Sequence, residues 1–330
     1  MNFTIKKEFD YYLYWVSERM NIFWRRYNNE PLKIEQSKYL FGNTQNKIWS
    51  EDKIFQDYKF TNVYRSLDRV SQYLIKNVIY TKNIYPKDEI VFRILFFKLF
   101  NKIETWELFK KEFGDIESNF IYERWSEIDN FIIKKLEEDF PLYSNAYVLS
   151  TAVKDEKYHH RKYLLTYKQC VFDNFDSFID CNSLQGLFNK LLELSYVGNF
   201  LAMQFTIDLN YSDVFNFDEN EFIVPGPGSI RGMDRCFEGQ KSQKDYVEII
   251  KWVQYNLEDL LHEKGYDVKF LPNRNPTLMD VQNQFCESDK YLRGMGSIQE
   301  GVSGKRIKQK FKESNSKIEY FLPPKWNVSL

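Results

Sequence analysis

The chain has 330 residues, with 46 Lys and Arg against 47 Asp and Glu, for a formal net charge of −1. That balance excludes a globally basic protein that coats nucleic acid but leaves room for a local basic groove. With 43% hydrophobic residues, 13 Gly and 9 Pro, the sequence is neither disordered nor loop-built, and it is long enough to bury one large core or two smaller ones.

Helical periodicity dominates the first two thirds. Between Phe9 and Tyr27, Tyr12, Trp15, Val16, Arg19, Met20 and Phe23 recur at three- and four-residue intervals and form one stripe, closed by Pro31. Phe60 to Tyr80 repeats the pattern through Val63, Leu67, Val70, Leu74 and Val78, which predicts a second amphipathic helix. From Pro86 to Phe100 the apolar residues fall on nearly all sides, so a central buried helix is expected, followed by a short one over Trp106–Phe113 that Gly114 stops. Helices are expected over Glu123–Phe140, Val148–Lys168 and Ser183–Ser195. Beyond Asn210 the texture changes. Residues 205–221 hold five acids and no Lys or Arg, whereas 290–330 hold nine Lys and Arg against three Glu, so overall neutrality conceals a basic tail. The expected organisation is one large helical unit, of one lobe or two. It comprises N-terminal helices (1–85), a helical core with a hairpin near 194–202 (86–210), and an irregular third of glycine-rich loop, acidic helix and basic tail (211–330).

Four cysteines at no metal-ligand or redox spacing, and three histidines, argue against a zinc centre or a serine–histidine hydrolase; no metal or cofactor is expected. The start, MNFTIKKEFD, turns acidic before any apolar run, and no stretch approaches the ~18 uncharged residues a membrane helix needs. A cytoplasmic protein without a membrane or obligate protein partner is expected.

Several stretches carry chemistry. Leu194-Ser-Tyr-Val-Gly-Asn-Phe-Leu-Ala202 reads as a helix, a tight turn at Gly198 and a new helix, a hairpin able to aim backbone N–H groups at a DNA phosphate. An ordinary glycine-capped turn is the alternative. In Pro225-Gly-Pro-Gly-Ser229, Gly226 and Gly228 can expose backbone N–H groups, with Arg231 supplying a fork of donors; a rigid loop reads equally. No Gly-Lys-Ser/Thr follows, so this is not a Walker loop. Asn62, Arg65, Asp68 and Arg69 recur at i, i+3, i+6 and i+7, which would line one groove if the segment were helical, or form a solvated face. Asp280 stands at a predicted helix start, where the dipole holds a carboxylate ionised.

Four segments together resemble the clade of α-glutamyl/putrescinyl-thymine pyrophosphorylases, relatives of the helix-hairpin-helix DNA glycosylases that act on hypermodified phage bases. They are Phe60-Thr-Asn-Val-Tyr-Arg-Ser-Leu-Asp-Arg69, Phe92 to Trp106, Val224-Pro-Gly-Pro-Gly-Ser-Ile-Arg-Gly232 and Asp280 to Arg293. The resemblance implies a mainly α, glycosylase-like helical fold with an irregular C-terminal third. It also implies a DNA glycosylase that flips out and excises a glucosylated hydroxymethyl pyrimidine from double-stranded phage DNA in antiviral defence, leaving an abasic site. Asn101 and Lys102 would fall near the wedge beside the flipped nucleotide. By the resemblance the catalytic carboxylate would be Asp280, with Glu287 or Asp289, or else Asp218, which lies at the family's usual distance after the hairpin glycine. Lys290 and Arg293 complete the DNA contacts. Two other readings stay open: a transferase in which an amine displaces pyrophosphate from 5-pyrophosphorylmethyl-uracil, and a non-catalytic module that binds modified DNA.

Overall fold

The computed structural model describes residues 3–32, 47–144, 157–298, 307, 309–312 and 318–330. In chain order its helices are α1 (Glu8–Asn28), α2 (Lys53–Asp57), α3 (Arg69–Tyr73), α4 (Lys87–Phe100), α5 (Ile103–Phe113), α6 (Ser118–Glu123), α7 (Trp125–Glu137), α8 (His159–Tyr167), α9 (Phe175–Ile179), α10 (Leu184–Leu192), α11 (Asn199–Asn210), α12 (Pro227–Cys236), α13 (Gln243–Glu263) and α14 (Leu278–Ile298). Among the described residues β-structure is limited to isolated bridges. The protein is mainly helical, as its periodicity predicts.

The chain forms two compact units. The first comprises residues 1–68, 225–318 and 330; the second comprises 69–224 and 319–329. In the first unit, α1 buries Tyr12, Trp15, Val16, Met20 and Phe23 along the predicted stripe. Tyr12 stacks on Phe285 of α14, with ring centroids 4.4 Å apart. α12 begins with Pro227 behind Gly226, a residue already set for helical φ at a position whose N–H needs no helical partner. It crosses α14 closely. A Cβ on Gly232 would lie 2.1 Å from the Phe285 carbonyl oxygen, and one on Gly228 would lie 2.4 Å from Cys286 Sγ.

The C-terminal third is more regular than expected: the helix predicted at Asp280 forms as α14, and a second 21-residue helix, α13, precedes it. Helix α13 starts at a capping box in which Ser242 and Asp245 satisfy each other's backbone N–H groups. The basic tail lies partly outside the described residues, since 305, 306, 308 and 317 do. Of the helix expected over Val148–Lys168, His159–Tyr167 forms α8, and 148–156 likewise lie outside the described residues.

In the second unit, α4 is the buried helix expected: Val91, Phe92, Ile94, Leu95, Phe96 and Phe97 are all at most 1% exposed. Burial on that scale contributes about 1.5–3 kcal/mol per side chain. Asn101 ends the helix in the left-handed conformation at φ 48°. Within the same unit, Lys325 Nζ donates to the carbonyls of Asn210, Ser212 and Phe215 at 2.5, 2.8 and 2.5 Å and so caps the end of α11.

The single helix expected over Phe60–Tyr80 is the main local correction. The backbone is extended at Tyr64, makes a 3-10 turn over Arg65–Leu67, is extended again at Asp68, and then runs through α3 into a π-helical stretch over Leu74–Ile79. Side-chain capping is the cause: the Asp68 carboxylate accepts the backbone N–H of Asn62 at 2.7 Å, which folds residues 62–68 onto themselves.

Candidate nucleic-acid interface

Helix α14 organises the first unit's polar groups on two faces. Asp280, Gln284, Glu287 and Tyr291, at i, i+4, i+7 and i+11, face the 52–68 segment and α1. Gln282, Cys286, Asp289 and Arg293 repeat the spacing toward α12.

On the first face Asp280 is 5% exposed, and both of its oxygens are engaged. Oδ1 accepts Arg65 N–H at 2.7 Å, and Oδ2 accepts Thr277 N–H at 2.9 Å and the Thr277 hydroxyl at 3.1 Å. Burial pushes its carboxyl above the ordinary range, while these donors oppose the shift. Seven residues on, Glu287 Oε2 accepts Thr61 N–H at 3.0 Å and pairs with Lys290 Nζ at 2.7 Å, and Lys290 sits 4.7 Å over the Phe60 ring. Arg19, projecting from the apolar stripe of α1, donates to Thr61 O at 2.8 Å and to Asn62 Oδ1 at 2.7 Å. Asn62 Nδ2 donates to Leu67 O and Asp68 Oδ1 at 2.8 and 3.1 Å. Asp68 sits half-buried in this net; desolvation pushes its carboxyl up to about 7 against the opposing pull of the Asn62 N–H and Arg19.

On the second face lies the strongest charge cluster. Asp289, with a side chain 0% exposed, meets Arg235 Nε at 2.7 Å, Arg293 Nε at 3.2 Å and Arg231 Nε at 3.6 Å. Three guanidiniums share one carboxylate, which leaves two positive charges in excess. Each turns its Nε inward. Arg231 and Arg235 have side chains 60% and 44% exposed, and the Nη groups of Arg235 and Nη2 of Arg231 meet no hydrogen-bonding partner among the described residues. The outward edge of Arg235, together with Nη2 of Arg231, whose Nη1 donates to Pro227 O at 3.1 Å, suits an oxyanion, above all a phosphate. Gly226 contributes differently: its N–H goes to Gln282 Oε1 at 3.1 Å, which ties the glycine loop to α14.

Of the residues singled out from sequence, Asn62, Arg65, Asp68, Gly226, Gly228, Arg231, Asp280, Glu287, Asp289, Lys290 and Arg293 therefore converge on the first unit. The rest belong to the second. Arg69 leaves the groove imagined for it and pairs with Glu104 at 3.2 Å. Asn101 Oδ1 accepts from Lys98 Nζ at 2.7 Å, Lys102 Nζ donates to Pro141 O, and Gly198 caps α11. Asp218 is exposed in a turn, its Oδ1 accepting Asn220 N–H at 2.9 Å. Arg235 and Arg19 escaped notice, although both left a trace: Arg235 follows Arg231 by one helical turn, and Arg19 is the lone charge in an apolar stripe.

The mainly helical architecture agrees with a known family of helical domains. The chain belongs to the family described as the helical domain of 5-hmdU DNA kinase, whose sequence model matches residues 6–300. It is 23% identical over 338 aligned residues to the 5-hmdU DNA kinase of Bacillus phage SP10, an alignment covering 95% of this chain and 50% of that protein. The chain thus spans about half the length of the curated relative it matches. No solved structure matches. The link to phage enzymes of modified bases therefore stands, but the expected glycosylase does not. The family and the relative are named for a kinase, a transferase of phosphoryl groups rather than a hydrolase of glycosidic bonds, and the excision of a flipped base is withdrawn. Among the described residues no helix is long and apolar enough to cross a membrane.

Proposed function

We propose that this chain is the DNA-holding part of a phosphotransferase acting on a hydroxymethylated pyrimidine in DNA. The observation that carries this reading is the cluster of Arg231, Arg235 and Arg293 on Asp289. A buried carboxylate anchors three cations, and the Nη groups of Arg235 and Nη2 of Arg231 stay open to a phosphate. Lys290, held by Glu287 over Phe60, adds a fourth cation one residue further along α14. The family name supplies the substrate class, 5-hydroxymethyl-deoxyuridine in DNA, and the phosphoryl acceptor is then the hydroxymethyl oxygen. The 330 residues contain no Gly-Lys-Ser/Thr phosphate loop, which fits a part that holds the acceptor rather than the phosphoryl donor. Asp280, with every oxygen taken by Arg65 and Thr277, acts in this reading as the pin that positions the 62–68 loop.

The test is equilibrium binding of the chain to duplex DNA, with thymine or with 5-hydroxymethyluracil, over a range of salt. The reading expects tighter binding to the hydroxymethylated duplex and a log–log salt slope that falls by about one for each of Arg231→Ala and Arg235→Ala. Unchanged slopes in both variants would remove the arginine cluster from the interface.

A further inference from the structure

Tyr196, in the turn between α10 and α11, adopts φ +72°. Glycine or asparagine takes that left-handed conformation readily, whereas a bulky side chain is strained in it. Burial does not offset the strain, since Tyr196 is 38% exposed and its ring meets Tyr163 at a 6.3 Å centroid separation. The backbone, by contrast, is fixed: Tyr163 Oη donates to Tyr196 O at 3.1 Å, and the flanking Leu194 and Val197 are 2% and 6% exposed. The turn therefore holds an aromatic ring outward at a position where a ring is conformationally costly, a pattern found where strain serves a function. Phe200, two residues past Gly198, is 44% exposed. Lys162 Nζ stands 5.4 Å over the Tyr196 ring. A Cβ on Gly198 would meet nothing within 4 Å, so the tip opens onto free space.

We infer that Tyr196 is a stacking platform for an unpaired nucleobase of DNA, with Phe200 in the first turn of α11 offering a second ring and Lys162 meeting the adjoining phosphate. Rings on a rigid turn beside a cation are the recurring means of holding unstacked bases. The two rings together expose on the order of 200 Å², far below the ~800 Å² per partner of a stable protein interface, so a flat base suits the patch better than a folded partner does. The inference rests on the DNA-holding reading but uses residues of the other unit.

The test compares three probes bound to the full chain: a duplex, the same duplex with one unpaired base, and a single strand. Tyr196→Gly is the informative variant, because glycine accepts φ +72° and removes only the ring. The expected result is a wild-type preference for the unpaired base, lost about tenfold in Tyr196→Gly with the duplex hardly affected, retained in Tyr196→Trp, and accompanied by a melting temperature no lower than wild type. Phe200→Ala and Tyr196→Asn supply the same contrast should the glycine variant melt early. Equal losses on all three probes, no loss, or no wild-type preference overturns the stacking role and leaves DNA holding intact. Failure of the wild type to bind any of the three overturns both.

Discussion

Asp280 Oδ1 accepts the backbone N–H of Arg65 at 2.7 Å, so a carboxylate in the first turn of α14 fixes a loop 215 residues away in sequence. Its other oxygen takes the N–H and hydroxyl of Thr277. Removing the side chain strands two backbone donors in a buried site, at about 1–3 kcal/mol each. Asp280→Ala is therefore expected to lower the unfolding free energy by about 2–5 kcal/mol in urea titration, and Asp280→Asn by less, since an amide oxygen still accepts. A loss below about 1 kcal/mol for the alanine variant would contradict the pin.

Asp68 gives the pH dependence its sign. Its carboxyl is pushed up to about 7 in the folded chain, against about 4 for an unfolded aspartate. Between those values the folded state binds a proton that the unfolded state releases. Stability is thus highest below the unfolded value, falls as pH rises toward 7, and levels off above it. Asp68→Asn should flatten this slope and stabilise the protein at pH 8. Because Asp68 keeps partial contact with solvent, the gain should be about 1–2 kcal/mol rather than the full equivalent of the shift. Asp280 is shifted in the same direction, so the measurement is the difference between variant and wild-type curves.

Two glycines should respond unequally to alanine. At Gly232 the new methyl would lie 2.1 Å from the Phe285 carbonyl oxygen, and α12 must move off α14. A cost of about 3 kcal/mol or more is expected, with the Arg231–Asp289 pairing disturbed as well. At Gly198 nothing lies within 4 Å and φ is −87°, so alanine should cost about 1 kcal/mol at most. Thermal melts of the two variants check the ordering.

Lys98 and Asp208 form a buried pair in the second unit at 3.0 Å, with side chains 3% and 1% exposed. Lys98→Met takes the paired cation from the buried Asp208 and should cost about 3–5 kcal/mol. The double variant Lys98→Met/Asp208→Leu removes both charges and should recover most of that loss; a double variant as unstable as the single would refute the pairing account.

Much of the helical skeleton was legible because apolar spacing and stop residues agree. Pro86 and Asn101 bracket α4, Gly114 ends α5, and the stripe from Tyr12 to Phe23 is buried as read. The 60–80 segment misled for a physical reason. Its apolar residues keep helical spacing, but the Asp68 carboxylate and the Asn62 amide satisfy the backbone locally, and that capture outweighs weak helix propensity. Helix α13 was passed over although Ser242 and Asp245 spell its capping box. At the interface, Arg231, Asp289 and Arg293 were visible as residue types. Their convergence was not, because it depends on how closely Gly228 and Gly232 let α12 approach α14. The chemistry was misjudged at a different level: acids and glycine turns fit several reactions on DNA, and only kinship separates a kinase from a glycosylase.

The first unit is assembled from both ends of the chain, whereas residues 69–224 of the second are contiguous. At ribosomal rates of about 5–20 residues per second, α1 must wait on the order of 15–60 s for α14, exposing Tyr12, Trp15 and Phe23 meanwhile. The middle of the chain can collapse during that interval, and Lys325 seals the end of α11 only once the chain has grown 115 residues past Asn210. Nascent chains arrested before residue 278 should therefore present α1 to chaperones and proteases.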